Sequence, residues 1–136
     1  MRRREAVFLD TSGLIAIWNG SDQWHALAKP VFADLARVRT RFMTTSLVLM
    51  ECGNQAARRH FRKDVVALRV RLKAMQCLIE PDDGDLDAAW DAFARGEAGQ
   101  AGIVDHVSFV VMRRLGLTRA FTNDAHFRAA GFETLF

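Results

Sequence analysis

The sequence has little of the residues and segments that build disulfide frameworks or zinc sites. It contains only two cysteines in 136 residues, Cys52 and Cys77, and no Cys-x-x-Cys pair. Both cysteines lie in apolar segments, so we expect two buried, reduced thiols, as is typical of a reducing compartment. The four histidines also lack the spacing of zinc ligands.

The sequence also lacks any apolar run long enough to span a bilayer. Its first five residues are basic overall, but the apolar run after them, residues 6–9, is much too short for the hydrophobic region of a signal peptide. We therefore expect a cytoplasmic protein without a membrane association. No repeat, low-complexity tract or linker rich in proline or serine interrupts the chain, which predicts one domain over residues 1–136.

Short apolar runs alternate with amphipathic segments along the chain. Strands are predicted at residues 6–9, 42–45, 77–80, 119–122 and 131–134, with helices between them. Ser46 is predicted to cap the helix after the second strand, and Pro30 predicts a kink or a break within residues 23–38. The alternation predicts the α/β class: a three-layer α/β/α arrangement around a central, mostly parallel sheet of four to five strands.

Four acidic residues fall where such a fold binds ligands, at the carboxyl ends of strands. Asp10 ends the first strand, and Glu51 lies on the helix after the second. Asp105 opens the helix before the fourth strand, and Asp124 follows that strand directly. Hard divalent cations require several oxygen ligands, and such a site can activate water and stabilise the leaving oxygen of a phosphodiester.

Each of the four acids also has an ordinary structural interpretation. Asp10 and Asp124 stand where helix N-caps are expected, and Asp105 suits the positive end of its helix. Glu51 is equally compatible with a position that faces solvent. It is the joint placement of the four that favours a metal site over four separate structural roles.

Four sequence blocks that contain these acids resemble the PIN-domain ribonucleases, and especially the compact toxins of the VapC type. The blocks are Val7–Ser12, Thr44–Glu51, Val104–Phe109 and Phe121–Phe127. The last block, with its Thr-x-Asp-x-His-Phe pattern, is the most specific, and the resemblance covers nearly the whole chain. It implies a PIN-like domain that hydrolyses RNA phosphodiester bonds as an endoribonuclease dependent on Mg²⁺ or Mn²⁺.

The resemblance also implies a role for each site residue. Carried over by position, Asp10, Glu51, Asp105 and Asp124 form an acidic quartet. In this assignment Asp10 and Asp105 bind the ion directly, whereas Glu51 and Asp124 bind it through water or orient the attacking water. The expected polar support around the acids comes from Thr11, Ser46, Asn54 and Thr122.

Expected partners follow from the same resemblance. They are an RNA substrate, a small antitoxin protein and a second copy of the chain in a homodimer. Trp18 and Trp24 would then be partly exposed anchors for the antitoxin. Otherwise the three tryptophans, which include Trp90, are interpreted as core or interface residues rather than as stacking platforms for bases. His126 is interpreted as a structural or hydrogen-bonding residue of the last helix.

The net charge of +3 is compatible with a polyanionic partner without requiring one. Basic residues are concentrated between positions 58 and 73. Two interpretations of this stretch stay open: a solvated helix face, or a track for the RNA backbone. The candidate RNA contacts are Arg58, Arg59, Arg62 and Lys63.

Three other functions stay open. A stand-alone PIN-type RNA-processing nuclease would have the same site without an antitoxin. A phosphatase of the haloacid-dehalogenase type would use Asp10 as a nucleophile, but it normally needs a second aspartate where this chain has Ser12. An RNA-binding or partner-binding module without catalytic activity would have no use for four converging negative charges.

Overall fold

The computed structural model describes residues 5–136, and residues 1–4 of the basic start lie outside the described residues. The strands are β1 (Ala6–Leu9), β2 (Arg41–Thr45), β3 (Leu78–Ile79), β4 (Arg119–Phe121) and β5 (Glu133–Thr134). The helices are α1 (Thr11–Trp18), α2 (His25–Arg37), α3 (Ser46–Ala56), α4 (Arg62–Ala74), α5 (Asp83–Ala94), α6 (Ile103–Leu115) and α7 (Ala125–Ala129). Across residues 5–136, no helix is both long enough and apolar enough to cross a membrane.

The strands form one five-stranded sheet in the order β3-β2-β1-β4-β5, and every neighbouring pair is parallel. Helices flank this sheet, so the predicted α/β/α class is confirmed. In the sheet, β2 and β3 lie on one side of β1, and β4 and β5 lie on the other. The strand order therefore reverses between β1 and β4, where sheets of this kind open a crevice at the carboxyl ends of their strands.

The central strand β1 is buried because its sequence is a continuous apolar run. Val7, Phe8 and Leu9 are fully buried, as expected for a parallel strand covered on both faces. The largest apolar cluster surrounds β1 and β4, and a smaller one, which includes Ala89, Val107 and Val111, joins α5 to α6. This packing holds the end of β1 rigidly against its neighbours.

Helix α1 lies very close to the end of β4. A Cβ atom added to Gly13 would stand only 2.1 Å from the carbonyl oxygen of Phe121. Only glycine permits this approach, because every other residue carries a Cβ atom. The close contact places the first turn of α1 beside the residues that follow β4.

Helix α6 is fixed to α5 by a bidentate ion pair. The guanidinium of Arg114 donates to both carboxylate oxygens of Asp85, at 2.8 and 2.7 Å, and Asp85 is buried. Hydrogen bonding from Arg114 holds the pKa of Asp85 below its ordinary value. Asp85 also forms a capping box with Asp82 at the start of α5. One side chain thus ties together the start of α5 and the end of α6.

Two local predictions were wrong. The break considered at Pro30 does not occur, because this exposed proline removes only one hydrogen bond near the start of α2, where water can solvate the freed carbonyl. The cap of α3 is Thr45 rather than Ser46, since the Thr45 hydroxyl accepts from the Val48 N–H at 3.2 Å. Ser46 is instead the first residue of that helix.

Candidate active site

All four acids of the predicted quartet line one cleft at the carboxyl edge of the sheet. The cleft has a volume of about 400 Å³. Segments far apart in sequence contribute to it, as expected where parallel strands end side by side. Its lining consists of Asp10, Thr11, Ser12, Ile15, Asp22, Trp24, Glu51, Gln55, Asp105, Asn123 and Asp124.

Asp10 lies deepest among the four, with only 3% of its surface exposed. It occupies the N-cap position of α1, but its side chain makes no capping hydrogen bond. Instead, Oδ2 accepts hydrogen bonds from the hydroxyls of Thr122 at 2.9 Å and Ser12 at 3.1 Å. These two hydroxyl oxygens are themselves 2.7 Å apart, so three oxygens form a closed triangle.

Burial, together with the negative charge of Asp105, raises the pKa of Asp10 from 3.8 to about 7. The Thr122 and Ser12 hydroxyls act in the opposite direction, because they stabilise the ionised form. A carboxylate in such surroundings is held near neutrality unless a positive charge comes close to it. Because Asp10 is buried, a cation bound beside it would stabilise its ionised form.

Glu51 and Asp105 approach the cleft from two different helices. Thr11 donates its hydroxyl to Oε1 of Glu51 at 2.6 Å, which ties α3 to the first turn of α1. Asp105 lies in the first turn of α6 and is half-buried. Burial, together with the negative charges of Asp124 and Glu51, raises the pKa of Asp105 from 3.8 to about 6.

Asp124 both caps α7 and faces the cleft, so its structural and functional interpretations are compatible. Its Oδ1 accepts from the backbone N–H of His126 at 2.9 Å. The side-chain Nδ1 atom of His126 also lies 2.9 Å from Oδ1 of Asp124. The backbone N–H of Asp124 in turn donates to Thr122 Oγ1 at 3.0 Å, which links Asp124 to the hydroxyl triangle around Asp10.

Asp105 and Asp124 of the cleft, together with His126, are close enough to share one metal ion. One ligand atom each from Asp105, Asp124 and His126 lies within 4.8 Å of the other two. Carboxylates are the donors that Mg²⁺ and Mn²⁺ prefer, and a cation would offset the burial and the mutual repulsion that raise the pKa of Asp10 and Asp105. The residues thus fit a divalent ion. This group contains Asp105 but not Asp10, the other acid predicted to bind the ion directly.

The predicted supporting residues divide into two groups. Thr11 and Thr122 donate hydrogen bonds to acids of the quartet, as expected. Ser46 is directed elsewhere, because its hydroxyl donates to Oε2 of Glu80 at 2.7 Å. Asn54 is exposed, and the cleft is lined instead by Gln55. Gln55 stands four residues after Glu51 on the same helix face, a spacing that was available in the sequence.

Sequence reasoning missed two contributions to the site. Ser12 was considered only for capping and as an argument against a phosphatase, yet it contacts Asp10 and Thr122. His126 was expected to be a structural or hydrogen-bonding residue of the last helix, and its backbone N–H does donate to Asp124, but its closeness to Asp105 was not foreseen. The position of Ser12 two residues after Asp10 was the available signal. The position of His126 depends on packing between α6 and α7, for which the sequence gives no signal.

The tryptophans and the basic residues lie in distinct places. Trp18 is half-buried and stacks on Phe61, with ring centroids 6.3 Å apart. Trp24 is 38% exposed and lines the cleft, whereas Trp90 is exposed on α5, which excludes the core half of its core-or-interface interpretation. The four basic candidates, Arg58, Arg59, Arg62 and Lys63, are all exposed.

The model of the PIN domain family matches residues 7–133. A 23S rRNA-specific endonuclease of Mycobacterium tuberculosis, VapC20, is 35% identical to this chain, with 93% of this chain and 95% of the relative covered. The protein described here therefore belongs to the PIN domain family.

Solved structures show the same fold. The crystal structure of Mycobacterium tuberculosis VapC20, described as a sarcin-ricin loop cleaving toxin, superposes with a TM-score of 0.77 at 28% identity, covering 93% of this chain and 95% of that one. The DNA-bound VapBC complex of Salmonella typhimurium contains a chain that superposes with a TM-score of 0.66. At 15% identity and 97% coverage of both chains, that second likeness shows the fold alone.

Proposed function

We propose that this protein is an endoribonuclease of the VapC type, dependent on Mg²⁺ or Mn²⁺, and the toxin of a toxin-antitoxin pair. The observation that carries the proposal is the convergence of four carboxylates from α3, α6 and the ends of β1 and β4 on one cleft. The likeness to VapC20 supports RNA as the substrate. A 23S ribosomal RNA is therefore the first substrate to test.

The acids need a cation before RNA can approach them. An RNA phosphate brings further negative charge to a cleft that already contains four carboxylates, and like charges at short range are strongly unfavourable at low dielectric. When bound, a divalent ion lowers the pKa of a water molecule and stabilises the leaving oxygen of the phosphodiester. This need for a cation distinguishes the cleft from a surface that only binds RNA.

The chain's own residues orient three of the four acids through hydrogen bonds to one oxygen of each. Hydroxyls of Ser12 and Thr122 donate to Oδ2 of Asp10, and that of Thr11 donates to Oε1 of Glu51. The backbone N–H of His126 donates to Oδ1 of Asp124. The second oxygen of each of these acids would then be available to bind the ion or to hold the attacking water. In this scheme Asp10 and Asp105 would bind the ion directly, Asp124 would bind it directly or through water, and Glu51 would position the attacking water.

An RNA cleavage assay with and without divalent ions tests the proposal. Wild-type protein should cut the RNA in Mg²⁺ or Mn²⁺ and lose the activity in EDTA. Asp10→Asn and Asp105→Asn should each lower the rate by orders of magnitude, whereas Asp91→Asn, on the exposed side of α5, should not change it. Full activity in EDTA, or a phosphorylated Asp10, would contradict the proposed function and favour the phosphatase alternative.

In this proposal an antitoxin segment binds between α2 and α4. Two apolar cavities of about 270 and 180 Å³ share the lining residues Phe32, Leu68 and Arg71 and so form one groove. An amphipathic helix could bury its apolar face there. Co-purification with the product of a neighbouring gene, lost in Leu68→Asp, is the test. Retained binding in that variant would place the partner elsewhere.

We further propose a homodimer and a cytoplasmic location. The exposed aromatic pair Trp90 and Phe93 on α5, with ring centroids 5.8 Å apart, is a candidate dimer contact. Light scattering of wild type and Trp90→Ser tests this, because a monomer in both would contradict it. Both cysteines are free and buried, which suits a reducing compartment.

A further inference from the structure

The imidazole of His126 lies beside two carboxylates. One of its ring nitrogens lies within 4.8 Å of ligand oxygens from both Asp105 and Asp124. Ligand atoms that share one divalent ion are roughly 3–4 Å apart, so small side-chain movements would bring all three into one coordination shell.

The backbone fixes this arrangement. His126 is the second residue of α7, and Asp124 is the N-cap of that helix, so one short turn sets the imidazole beside the carboxylate. The contact of Nδ1 with Oδ1 of Asp124 at 2.9 Å restricts the ring further. A histidine that binds a metal commonly donates its other ring N–H to a carboxylate, which fixes the orientation of the ring. The imidazole is half-buried beside both carboxylates.

We propose that His126 supplies a nitrogen ligand, together with the carboxylates of Asp105 and Asp124, and that this donor set selects Mn²⁺ over Mg²⁺. The inference rests on the proposed function for the identity of the site. Mg²⁺ takes oxygen ligands and retains several waters, whereas first-row transition metals also bind imidazole well. The expected order of affinity is Mg²⁺, then Mn²⁺, then Co²⁺, following the general order for divalent ions.

Electron spin echo envelope modulation of bound Mn²⁺ tests the coordination directly and requires no activity. The wild-type protein with Mn²⁺ alone should show modulation from a directly bound ¹⁴N nucleus. His126→Asn should lose that modulation, whereas His60→Asn, the control at an exposed histidine outside the cleft, should keep it. Absence of nitrogen modulation in the wild type, or its persistence in His126→Asn, would overturn the proposal.

Binding titrations with Mn²⁺ and Mg²⁺ distinguish a ligand from a residue that merely orients Asp124. His126→Asn should lower the affinity for Mn²⁺ by about tenfold or more and change the affinity for Mg²⁺ by less than about threefold. An equal loss for both ions would assign His126 to orientation alone and overturn the selectivity. If His126→Asn fails to fold, judged by its melt in EDTA, the wild-type spectrum still decides the point.

The RNA cleavage assay keeps this inference separate from the proposed function. A wild-type protein that shows nitrogen-coordinated Mn²⁺ but cuts no RNA would contradict the endoribonuclease and leave the ligand assignment standing. A protein that cuts RNA equally well in Mg²⁺ and in Mn²⁺, without nitrogen modulation, would support the endoribonuclease and contradict the ligand assignment. The two proposals therefore fail on different measurements.

Discussion

The hydroxyl of Thr122, just after β4, lies 2.9 Å from Oδ2 of Asp10, just after β1. This bond joins two strand ends and helps to keep Asp10 ionised, since it lowers the pKa that burial raises. We expect Thr122→Val to reduce the cleavage rate by about tenfold or more and to move the acidic limb of the pH–rate profile upward. Thr122→Ser should restore both. A valine variant with a wild-type pH profile would show that the bond is incidental.

The burial of the acids and the repulsion among them predict how stability depends on pH without metal. The pKa values of about 7 for Asp10 and about 6 for Asp105 exceed the ordinary value of 3.8, so the native state binds protons that the unfolded state releases. The resulting penalty is present near neutral pH and fades as the pH falls toward 4. In EDTA at pH 7.5, Asp105→Asn should melt at the same temperature as wild type or higher, with a smaller difference at pH 5.

The same melts, repeated with Mn²⁺, test the metal linkage. At a hundredfold excess over the dissociation constant, a bound ion stabilises the native state by about 2.7 kcal/mol. Wild type should gain this stabilisation, and Asp105→Asn should lose most of it. Asp91→Asn is the control and should respond to Mn²⁺ as wild type does. If millimolar Mn²⁺ does not move the wild-type melt, the acids are structural caps.

The close approach of α1 to β4 predicts a selective effect of alanine. Gly13→Ala would place Cβ against the Phe121 carbonyl and should destabilise the fold by about 1–3 kcal/mol. It should also displace Asp10 and Thr11 and reduce cleavage. Gly53→Ala in α3 is the matched control, because its Cβ meets nothing within 4 Å, and it should stabilise by about 0.5–1 kcal/mol. Denaturant unfolding of both variants measures the difference, and equal effects would contradict the packing argument.

The ion pair between Asp85 and Arg114 predicts an effect on stability that is separate from the cleft. Asp85→Asn should melt at a lower temperature than wild type, while Asp87→Asn, exposed on the same helix, should not. The pKa of Asp85 is lowered, so its contribution is present above its ordinary pKa and is lost as the pH falls below about 4. The melting difference between Asp85→Asn and wild type should therefore shrink in acid. A constant difference at all pH values would show that the charge of Asp85 does not matter.

The exposed basic residues predict how RNA binding depends on salt. The assay uses the Asp105→Asn variant, which should bind RNA without cutting it. Neutralising Arg58, Arg59, Arg62 and Lys63 together in this variant should weaken RNA binding. It should also flatten the dependence of the logarithm of the RNA association constant on the logarithm of the salt concentration. Neutralising the exposed Arg37 and Arg39 of the α2 end instead serves as the control. An unchanged slope in the quadruple variant would favour a solvated helix face.

The sequence predicted the quartet because the carboxyl ends of parallel strands must meet at one edge. That argument needs only the order of strands and the positions of Asp10 and Asp124 within their blocks. The same argument could not decide which of two adjacent residues takes a given structural role. Thr45 rather than Ser46 caps α3, and the Ser46 hydroxyl donates instead to Glu80, which follows β3. Such choices depend on contacts between distant segments, which local patterns do not report.

The bond between Asp10 and Thr122 spans 112 positions of the chain, whereas β1 first meets β2 over a much shorter separation. Closing a longer loop has a higher entropic cost, and distant pairings slow folding. A folding intermediate with only β1, β2 and β3 paired would contain Asp10 and Glu51 without Asp105 or Asp124 beside them. Such an intermediate would have no nuclease activity, so the return of RNA cleavage during refolding would report the arrival of β4 rather than the collapse of the chain.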